Sequence, residues 1–286
     1  FCNSPSQMDL YKQAENKSYL RRKSFENIER ELRYYKEVMG AEYLYFWADT
    51  FFSWHGKDFE TFCEIYRDIN LPFWCQTRVE TVNREKLELL QKIGCARISF
   101  GIEHGDPEFR RHKIKRHMSN ELIIRNLKLV HSIGIPFSVN NIMGFPGETR
   151  ELAFKTIELN RQFYANDRNA YSFTPFNGTP LRKECEELGL VKKDQIVCSV
   201  VTQDGWRLNM PQFPYKEIDG VAKTFNFYVR FEKSRWPEIK LAEEETPQGK
   251  KIYNKLKAEF IQRFWQDKEV SFEESAQDID PMATLI

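Results

Sequence analysis

Hydrophobic residues recur at helical spacing in five separate stretches of the chain, and a short apolar run follows each stretch. The first stretch is SFENIERELRYYKEVMG, from Ser24 to Gly40, whose apolar residues fall one helical turn apart. Serine is a typical first residue of a helix and glycine a typical residue just past its end. The next run, YLYFW (43–47), is apolar throughout, which predicts a strand covered on both faces.

The same pattern of a helix followed by a strand returns four more times. The predicted N-caps of these helices are Asp58, Asn83, Ser119 and Thr149. The predicted strands are LPFWCQTR, ARISFG, IPFSVNNIMG and NAYSFTPF. Strands that alternate with helices predict parallel βαβ units with right-handed crossovers. Either a barrel or a doubly wound sheet satisfies this pattern.

Polar and glycine-rich residues gather at the predicted carboxyl ends of the strands, where α/β proteins build their sites. In GIEHG, Glu103 lies between two glycines and could accept hydrogen bonds from a sugar diol. The alternative is a structural ion pair with a basic residue of FRRHKIKRH, namely Arg110, Arg111 or Lys113. That basic run could grip phosphates, but a solvated loop is the favoured interpretation.

The segment NNIMGFPGET (140–149) leaves a predicted strand, passes two glycines and a proline, and enters a helix. Glycine lets a ligand approach the backbone closely, so a flat ring could be bound there by backbone groups. A purely structural turn between strand and helix is an open alternative. Beyond Leu181 the periodicity weakens and a region rich in aromatic residues follows.

Composition narrows the class of protein. The chain has 286 residues, a formal net charge of +1 and 41% hydrophobic residues, so no overall field marks a nucleic-acid or membrane-surface protein. No apolar run is long enough to span a bilayer, and no signal peptide is visible. Six cysteines without a CxxC pair indicate reduced thiols. We therefore expect a cytoplasmic protein whose choice of partner is set by local features of its surface.

Five motifs occur in order along the predicted βα framework: FCNSP, WADTFF, FGIEHG, NIMGFPGET and TPFNGTPL. This set resembles the radical S-adenosylmethionine (SAM) superfamily, and most closely the subclass whose members carry an upstream cobalamin-binding domain. The resemblance covers residues 1 to about 181. It implies a partial six-stranded βα barrel of TIM-like type that lacks its first strand, followed by a mainly helical C-terminal extension (182–286).

The resemblance also assigns the start of the chain. Cys2 would be the last cysteine of a CxxxCxxC motif that holds a 4Fe–4S cluster, and Phe1 would flank the adenine of SAM. Asn3, Ser4 and Pro5 after it favour a loop. The chain is accordingly expected to be a fragment of a longer protein, with the other two cysteines and any cobalamin domain upstream.

By the same resemblance, Glu103 would take the ribose hydroxyls of SAM. The adenine would be lined by the backbone of Ile142, Met143, Gly144 and Pro146. Asp49 and Thr50 fall where the superfamily approaches the methionine amino group, although Ala48 replaces the usual first acid of that turn. Arg78 could meet the SAM carboxylate or a substrate acid, and a structural ion pair is as consistent with its position.

The activity implied is reductive cleavage of SAM at the cluster to a 5′-deoxyadenosyl radical, followed by cobalamin-dependent methylation of an unactivated carbon. Radical cyclisation or oxidation without methyl transfer is an alternative, and so is a degenerate barrel that binds SAM or a partner without a cluster. A flavodoxin or ferredoxin would supply the electron. Part of the region 182–286 is expected to close the mouth of the barrel and contact the substrate, and packing against the outer helices is the open alternative. The aromatic residues of this region are Trp206, Phe213, Tyr215, Phe225, Phe227, Tyr228 and Phe231.

Overall fold

The computed structural model describes residues 2–15, 19, 21–48, 50–54, 56–197 and 208–264. The predicted site residues Phe1 and Asp49, and the predicted cover residue Trp206, lie outside the described residues. Within the described part, no helix is both long and apolar enough to cross a membrane.

The described residues form five strands and eleven α-helices. The strands are β1 (Leu44–Phe46), β2 (Phe73–Arg78), β3 (Cys95–Glu103), β4 (Phe137–Met143) and β5 (Asp167–Ser172). The helices are α1 (Ser4–Glu15), α2 (Phe25–Arg33), α3 (Lys57–Ile69), α4 (Arg84–Lys92), α5 (Pro107–Phe109), α6 (Asn120–Ile133), α7 (Arg150–Asn160), α8 (Pro180–Glu187), α9 (Tyr215–Arg230), α10 (Trp236–Ala242) and α11 (Pro247–Phe264). Helix α1 begins inside the segment predicted to be a loop after Cys2.

The sheet has the strand order β1-β2-β3-β4-β5, and the pairs from β1 to β4 are parallel. A doubly wound sheet would place later strands on both sides of the first one. Strands that follow one another in sequence order are instead typical of a βα barrel. The fold class predicted from sequence, a partial barrel with a helical extension, is thus confirmed.

Local sequence signals explain where most of the helices begin. The side chains of Ser24, Asn83 and Ser119 each accept a hydrogen bond from the backbone N–H three residues on, as N-caps do. The prediction for Asp58 was wrong, because α3 already starts at Lys57 after Gly56 in the N-cap position. Asp58 instead lies in the first turn, where its negative charge interacts favourably with the positive end of the helix dipole.

One face of the sheet forms the apolar core together with the helices that flank the strands. Phe73, Cys75, Ile98, Phe100 and Val139 on this face have no exposed surface. Burying a large apolar side chain contributes about 1.5–3 kcal/mol, so this face supplies much of the folding free energy.

The opposite face of the sheet is polar, which corrects the prediction that YLYFW is covered on both sides. Leu44 and Phe46 pack against the core, whereas Tyr45 and Trp47 alternate with them and point away; Trp47 is 77% exposed. Five consecutive apolar residues do not reveal which face of a strand is exposed. In the described part of the chain, the aromatic rings on one face of β1 are exposed to solvent.

Hydrogen bonds between polar side chains cross this second face from strand to strand. Trp74 Nε1 donates to Ser99 Oγ at 3.0 Å, and Ser99 Oγ lies 2.6 Å from Ser138 Oγ. Farther along, Asn169 Nδ2 donates to Asn140 Oδ1 at 3.0 Å. The two faces of the sheet therefore differ in chemistry, one apolar and one lined with hydroxyl and amide groups.

The chain divides into two compact units. One unit consists of Cys2–Asn141 with Phe154–Asn169, and the other of Ile142–Ala153 with Ala170–Ile286. The division at residue 181 between a barrel and an extension stays a prediction.

Aromatic residues of the C-terminal extension pack with one another. Phe213, Phe225, Phe227, Tyr228 and Phe231 are all buried. The rings of Phe227 and Phe231 lie 5.9 Å apart, as in many buried aromatic pairs. These five side chains are buried within the helical unit, which agrees with the packing alternative for them, and the role of residues 182–286 as a substrate cover stays a prediction. Among the described aromatics of the predicted cover, Tyr215 alone is exposed.

Candidate functional site

Glu103 ends β3 in a conformation that few residues other than glycine adopt, with φ 64°. Its carboxylate folds back over Gly101, where a Cβ would collide with Glu103 Oε1. A Cβ at Gly105 would collide with the backbone of Lys155. Gly101 therefore makes room for the carboxylate, and Gly105 makes room for the backbone of helix α7.

The Glu103 carboxylate is buried and has a cationic partner. Glu103 Oε1 lies 3.3 Å from Arg116 Nη2. Burial raises the pKa of Glu103, and the guanidinium groups of Arg116 and Arg78 act in the opposite direction. Glu80 adds a smaller effect that also raises this pKa. The site thus holds one carboxylate in a desolvated position, balanced by a nearby positive charge.

The partner of Glu103 was missed at the sequence level. Three other basic residues of FRRHKIKRH had been considered, and the structure selects Arg116. Arg110 has no exposed surface; it donates to the carbonyl oxygens of His104 at 2.5 Å and Met118 at 2.6 Å. Burial lowers the pKa of Arg110 to about 10. The interpretation of the run as a solvated loop was therefore wrong for Arg110.

Two further predicted site residues lie on neighbouring segments of the same unit. Arg78 ends β2, and its Nε donates to Glu80 Oε1 at 2.7 Å, so the ion-pair alternative holds in this structure. The Arg78 side chain nevertheless remains well exposed, which leaves it accessible to an acidic ligand. Thr50 directly precedes a short 3₁₀ turn at Phe51–Ser53.

The turn after β4 is built around a buried glutamate. The Glu148 carboxylate accepts hydrogen bonds from the N–H groups of Gly144 at 2.6 Å and Phe145 at 2.9 Å. Gly144 has φ 82°, a conformation that favours glycine. Two N–H groups of the turn are therefore already hydrogen-bonded to Glu148. The predicted contacts with adenine would have to use other backbone groups of the turn.

The role of Glu148 in this turn was missed at the sequence level. One feature of the sequence indicates this role: in GFPGE the glutamate follows the first glycine by four residues. Its carboxylate can therefore reach back to the N–H groups of the turn. Ile142 and Met143 lie in β4, and Phe173 N donates to the carbonyl oxygen of Met143 at 2.7 Å. Pro146 follows within the same buried turn.

The C-terminal extension packs directly on this turn. A Cβ at Gly144 would lie 2.9 Å from Ile218 Cδ1 of α9, so the glycine is required by a close approach as well as by its φ. Gln212 Nε2 donates to the carbonyl oxygen of Glu148 at 3.2 Å. Residues beyond 208 thus help to define the shape of the predicted adenine turn.

A partly buried ionic network joins the start of α7 to the C-terminal helices. Arg150 Nη2 lies 2.6 Å from Glu243 Oε1, and Arg150 Nη1 lies 3.0 Å from Glu217 Oε1. Tyr228 Oη also donates to Glu243, at 2.5 Å. The pKa of Tyr228 is raised by burial and then by its bond to Glu243.

We expect Arg150→Met to lower the free energy of unfolding by about 2 kcal/mol. Breaking a fully buried pair costs about 3–5 kcal/mol, but Lys240 still lies 3.0 Å from Glu243 and limits the loss. Urea unfolding measures the change. The control is Arg84→Met, which breaks a pair with Glu88 whose side chains are 59% and 46% exposed and which should cost below about 1 kcal/mol. Equal losses in both variants would contradict the assignment.

Cys2 is exposed, and its thiol donates to Ser4 Oγ at 3.3 Å. Among the described residues, no group of three or more His, Cys, Asp or Glu side chains could hold a metal ion. The described chain therefore offers one thiol at this place, which is enough for one ligand of a cluster and too little to hold a cluster alone.

Residues 1–159 match the family described as the radical SAM superfamily. The chain belongs to this superfamily. Membership implies SAM and a 4Fe–4S cluster as cofactors. The buried Glu103 carboxylate offers an acceptor for a diol, which the ribose of SAM presents.

Two relatives with names share part of this radical SAM chain. An uncharacterised methyltransferase of Pyrococcus horikoshii is 25% identical over 159 residues, which are 55% of this chain and 34% of that protein. The anaerobic magnesium-protoporphyrin IX monomethyl ester cyclase of Rubrivivax gelatinosus is 28% identical over 139 residues, or 47% of this chain and 24% of the cyclase. The chain thus spans about a third or less of the length of these relatives.

Solved structures of radical SAM enzymes share the fold. The methyltransferase TsrM from Kitasatospora setae, solved with cobalamin and a 4Fe–4S cluster, aligns with a TM-score of 0.53 at 15% identity, covering 83% of this chain and 56% of TsrM. The cobalamin-dependent enzyme OxsB, solved with aqua-cobalamin and SAM, gives 0.53 at 14% identity, covering 82% of this chain and 41% of OxsB. At such identities the likeness concerns the fold.

Proposed function

We propose that this chain is the SAM-binding core of a radical SAM enzyme that uses cobalamin to methylate an unactivated carbon of a small molecule. The observation that carries the SAM-binding part is Glu103, a carboxylate buried at a strand end between two glycines. Methylation is supported by the Pyrococcus relative and by TsrM, both of which are named methyltransferases. Use of cobalamin is supported by its presence in the TsrM and OxsB structures.

In this proposal each site residue has a separate task in holding SAM. Cys2 supplies one thiolate ligand to the cluster, and Glu103 accepts the ribose hydroxyls. The adenine lies against the backbone of Ile142 to Gly144 and Pro146, with Phe1 beside it. Asp49 and Thr50 approach the methionine amino group, and Arg78 approaches a carboxylate of SAM or of the substrate.

A reduced cluster held by Cys2 and two further ligands would supply one electron to SAM, and cleavage of the C5′–S bond would then give methionine and a 5′-deoxyadenosyl radical. The protein's part is then to orient SAM and to exclude water. Glu103 contributes to orientation because its φ and its glycine neighbours fix where the carboxylate lies. We further propose that the extension (182–286) covers the substrate, that an upstream domain holds cobalamin, and that a flavodoxin or ferredoxin is the reductant.

A second candidate function is radical cyclisation or oxidation without methyl transfer. It is supported by the similarity to the anaerobic cyclase of Rubrivivax gelatinosus. Both candidates use SAM in the same site, so Glu103 and the turn at Gly144 have the same roles in each.

Product analysis separates the two candidates. We expect the full-length protein, reconstituted with iron and sulfide and then reduced, to form 5′-deoxyadenosine from SAM. With cobalamin bound it should also release S-adenosylhomocysteine, the form of SAM that has given up its methyl group. Liquid chromatography with mass spectrometry measures both products. 5′-Deoxyadenosine without any cobalamin-dependent S-adenosylhomocysteine would favour the cyclase, and absence of both would contradict the radical function.

A further inference from the structure

Arg116 bridges two groups at the end of β3. Its Nη1 donates to the carbonyl oxygen of Gly101 at 2.8 Å, and its Nη2 lies 3.3 Å from Glu103 Oε1. The side chains of Arg116 and Glu103 are 17% and 9% exposed. Since the guanidinium presents several N–H donors in a rigid plane, binding both oxygens fixes its orientation relative to the carboxylate.

The segment that carries Arg116 is itself held rigidly. The backbone N–H of Arg116 donates to the carbonyl oxygen of Arg110 at 3.1 Å. Arg110 is fully buried and binds the carbonyl oxygens of His104 and Met118, which lie at the two ends of this segment. These hydrogen bonds fix the position of the backbone that carries Arg116 next to Glu103.

We propose that Arg116 is a positioning residue for SAM, which holds the Glu103 carboxylate charged and oriented so that its remaining lone pairs accept the ribose hydroxyls. This inference rests on the proposed function, because it takes Glu103 as the ribose ligand. A carboxylate offers about four acceptor sites, so one contact with Arg116 leaves room for a diol. Arg116 acts through Glu103 and does not itself contact the ligand.

The charges around Glu103 predict how the SAM affinity of an Arg116 variant changes with pH. Burial raises the pKa of Glu103, Arg116 and Arg78 lower it, and Glu80 raises it. Arg78 is already bound to Glu80 at 2.7 Å, so it replaces Arg116 poorly. Loss of Arg116 therefore raises the pKa of Glu103 further, and the carboxyl becomes more protonated as the pH falls. SAM affinity should then fall most at low pH and recover as the pH rises.

The test is equilibrium binding of SAM to the full-length, cluster-containing protein without reductant, from about pH 6 to about pH 9. We expect Arg116→Gln to weaken SAM binding roughly tenfold at the acidic end of this range, because the carboxyl loses a charge-assisted contact worth about 1.5 kcal/mol and protonates more readily. The loss should shrink toward alkaline pH. The ratio of the variant to the wild-type dissociation constant cancels the titration of SAM itself. Arg116→Lys keeps the charge without the planar fork and should show a smaller loss.

The matched control is Arg111→Gln, which removes the same charge from an exposed arginine that pairs with Glu108. It should leave SAM affinity unchanged at every pH. In a Glu103→Gln background, Arg116→Gln should add little, because its effect passes through Glu103. Circular dichroism and cluster absorbance establish that each variant is folded and loaded.

The outcomes separate this inference from the function on which it rests. If Glu103→Gln weakens SAM binding but the loss in Arg116→Gln does not vary with pH, or adds fully to that of Glu103→Gln, the role of Arg116 is overturned alone. If Glu103→Gln leaves SAM affinity unchanged, the ribose assignment itself fails.

Discussion

Replacing Cys2 with alanine in the full-length protein is expected to abolish both the iron–sulfur absorbance and the reductive cleavage of SAM. Cys2 is the exposed cysteine among the described thiols, and the others are buried. A metal ligand must be a deprotonated thiolate that the cluster can reach. Burial raises the pKa of the Cys63 thiol to about 12, which disfavours the thiolate there. Anaerobic reconstitution followed by absorbance spectroscopy and 5′-deoxyadenosine analysis measures both losses.

Cys95→Ala is the control for this experiment. Cys95 lies at the start of β3, and its Sγ is 3.5 Å from the carbonyl oxygen of Arg97. Its removal should reduce stability modestly and leave the cluster in place. A Cys2→Ala protein that still holds a complete cluster and forms 5′-deoxyadenosine at the normal rate would remove the central part of the proposed function.

Glu103→Gln is expected to weaken SAM binding by roughly ten- to a hundredfold while the cluster stays intact. A hydrogen bond to a charged group contributes about 1.5–3 kcal/mol, and each 1.4 kcal/mol is tenfold in affinity. The amide keeps the size of the side chain, so the loss reports the charge and the second acceptor oxygen. Titration with SAM in the absence of reductant measures the dissociation constant.

Glu108→Gln makes the same chemical change at an exposed glutamate that pairs with Arg111, and it should bind SAM as the wild type does. If Glu103→Gln also binds SAM normally, Glu103 is a structural partner of Arg116 and the ribose contact must lie elsewhere.

The order of elements was predictable because the signals that set it are local. N-caps such as Ser24 and Asn83 bond to the backbone three residues away, and the apolar spacing of each helix extends over about three turns. The same holds for the glycines that end helices: Gly94 and Gly134 have φ 85° and 88°.

The parts that sequence reasoning missed depend on contacts between distant segments. Tyr45 and Trp47 have the apolar character of buried residues, yet what covers them is decided by the rest of the fold. Arg116 and Arg110 stand in one basic run, and only the course of the chain assigns the first to Glu103 and buries the second. Charge patterns along a sequence do not encode that choice.

The contact of Ile218 with Gly144 links the evolution of two segments that are far apart in sequence. Any side chain larger than hydrogen at 144 would strike Ile218, and any reshaping of α9 would change the wall behind the turn. Arg150 at the start of α7 and Glu243 just after α10 form an ion pair that also connects the segment after β4 with the C-terminal helices. A chimaera that takes its C-terminal region from another member of the superfamily therefore also needs that member's turn after β4 and the first residues of α7. The two segments can be exchanged between proteins only as a pair.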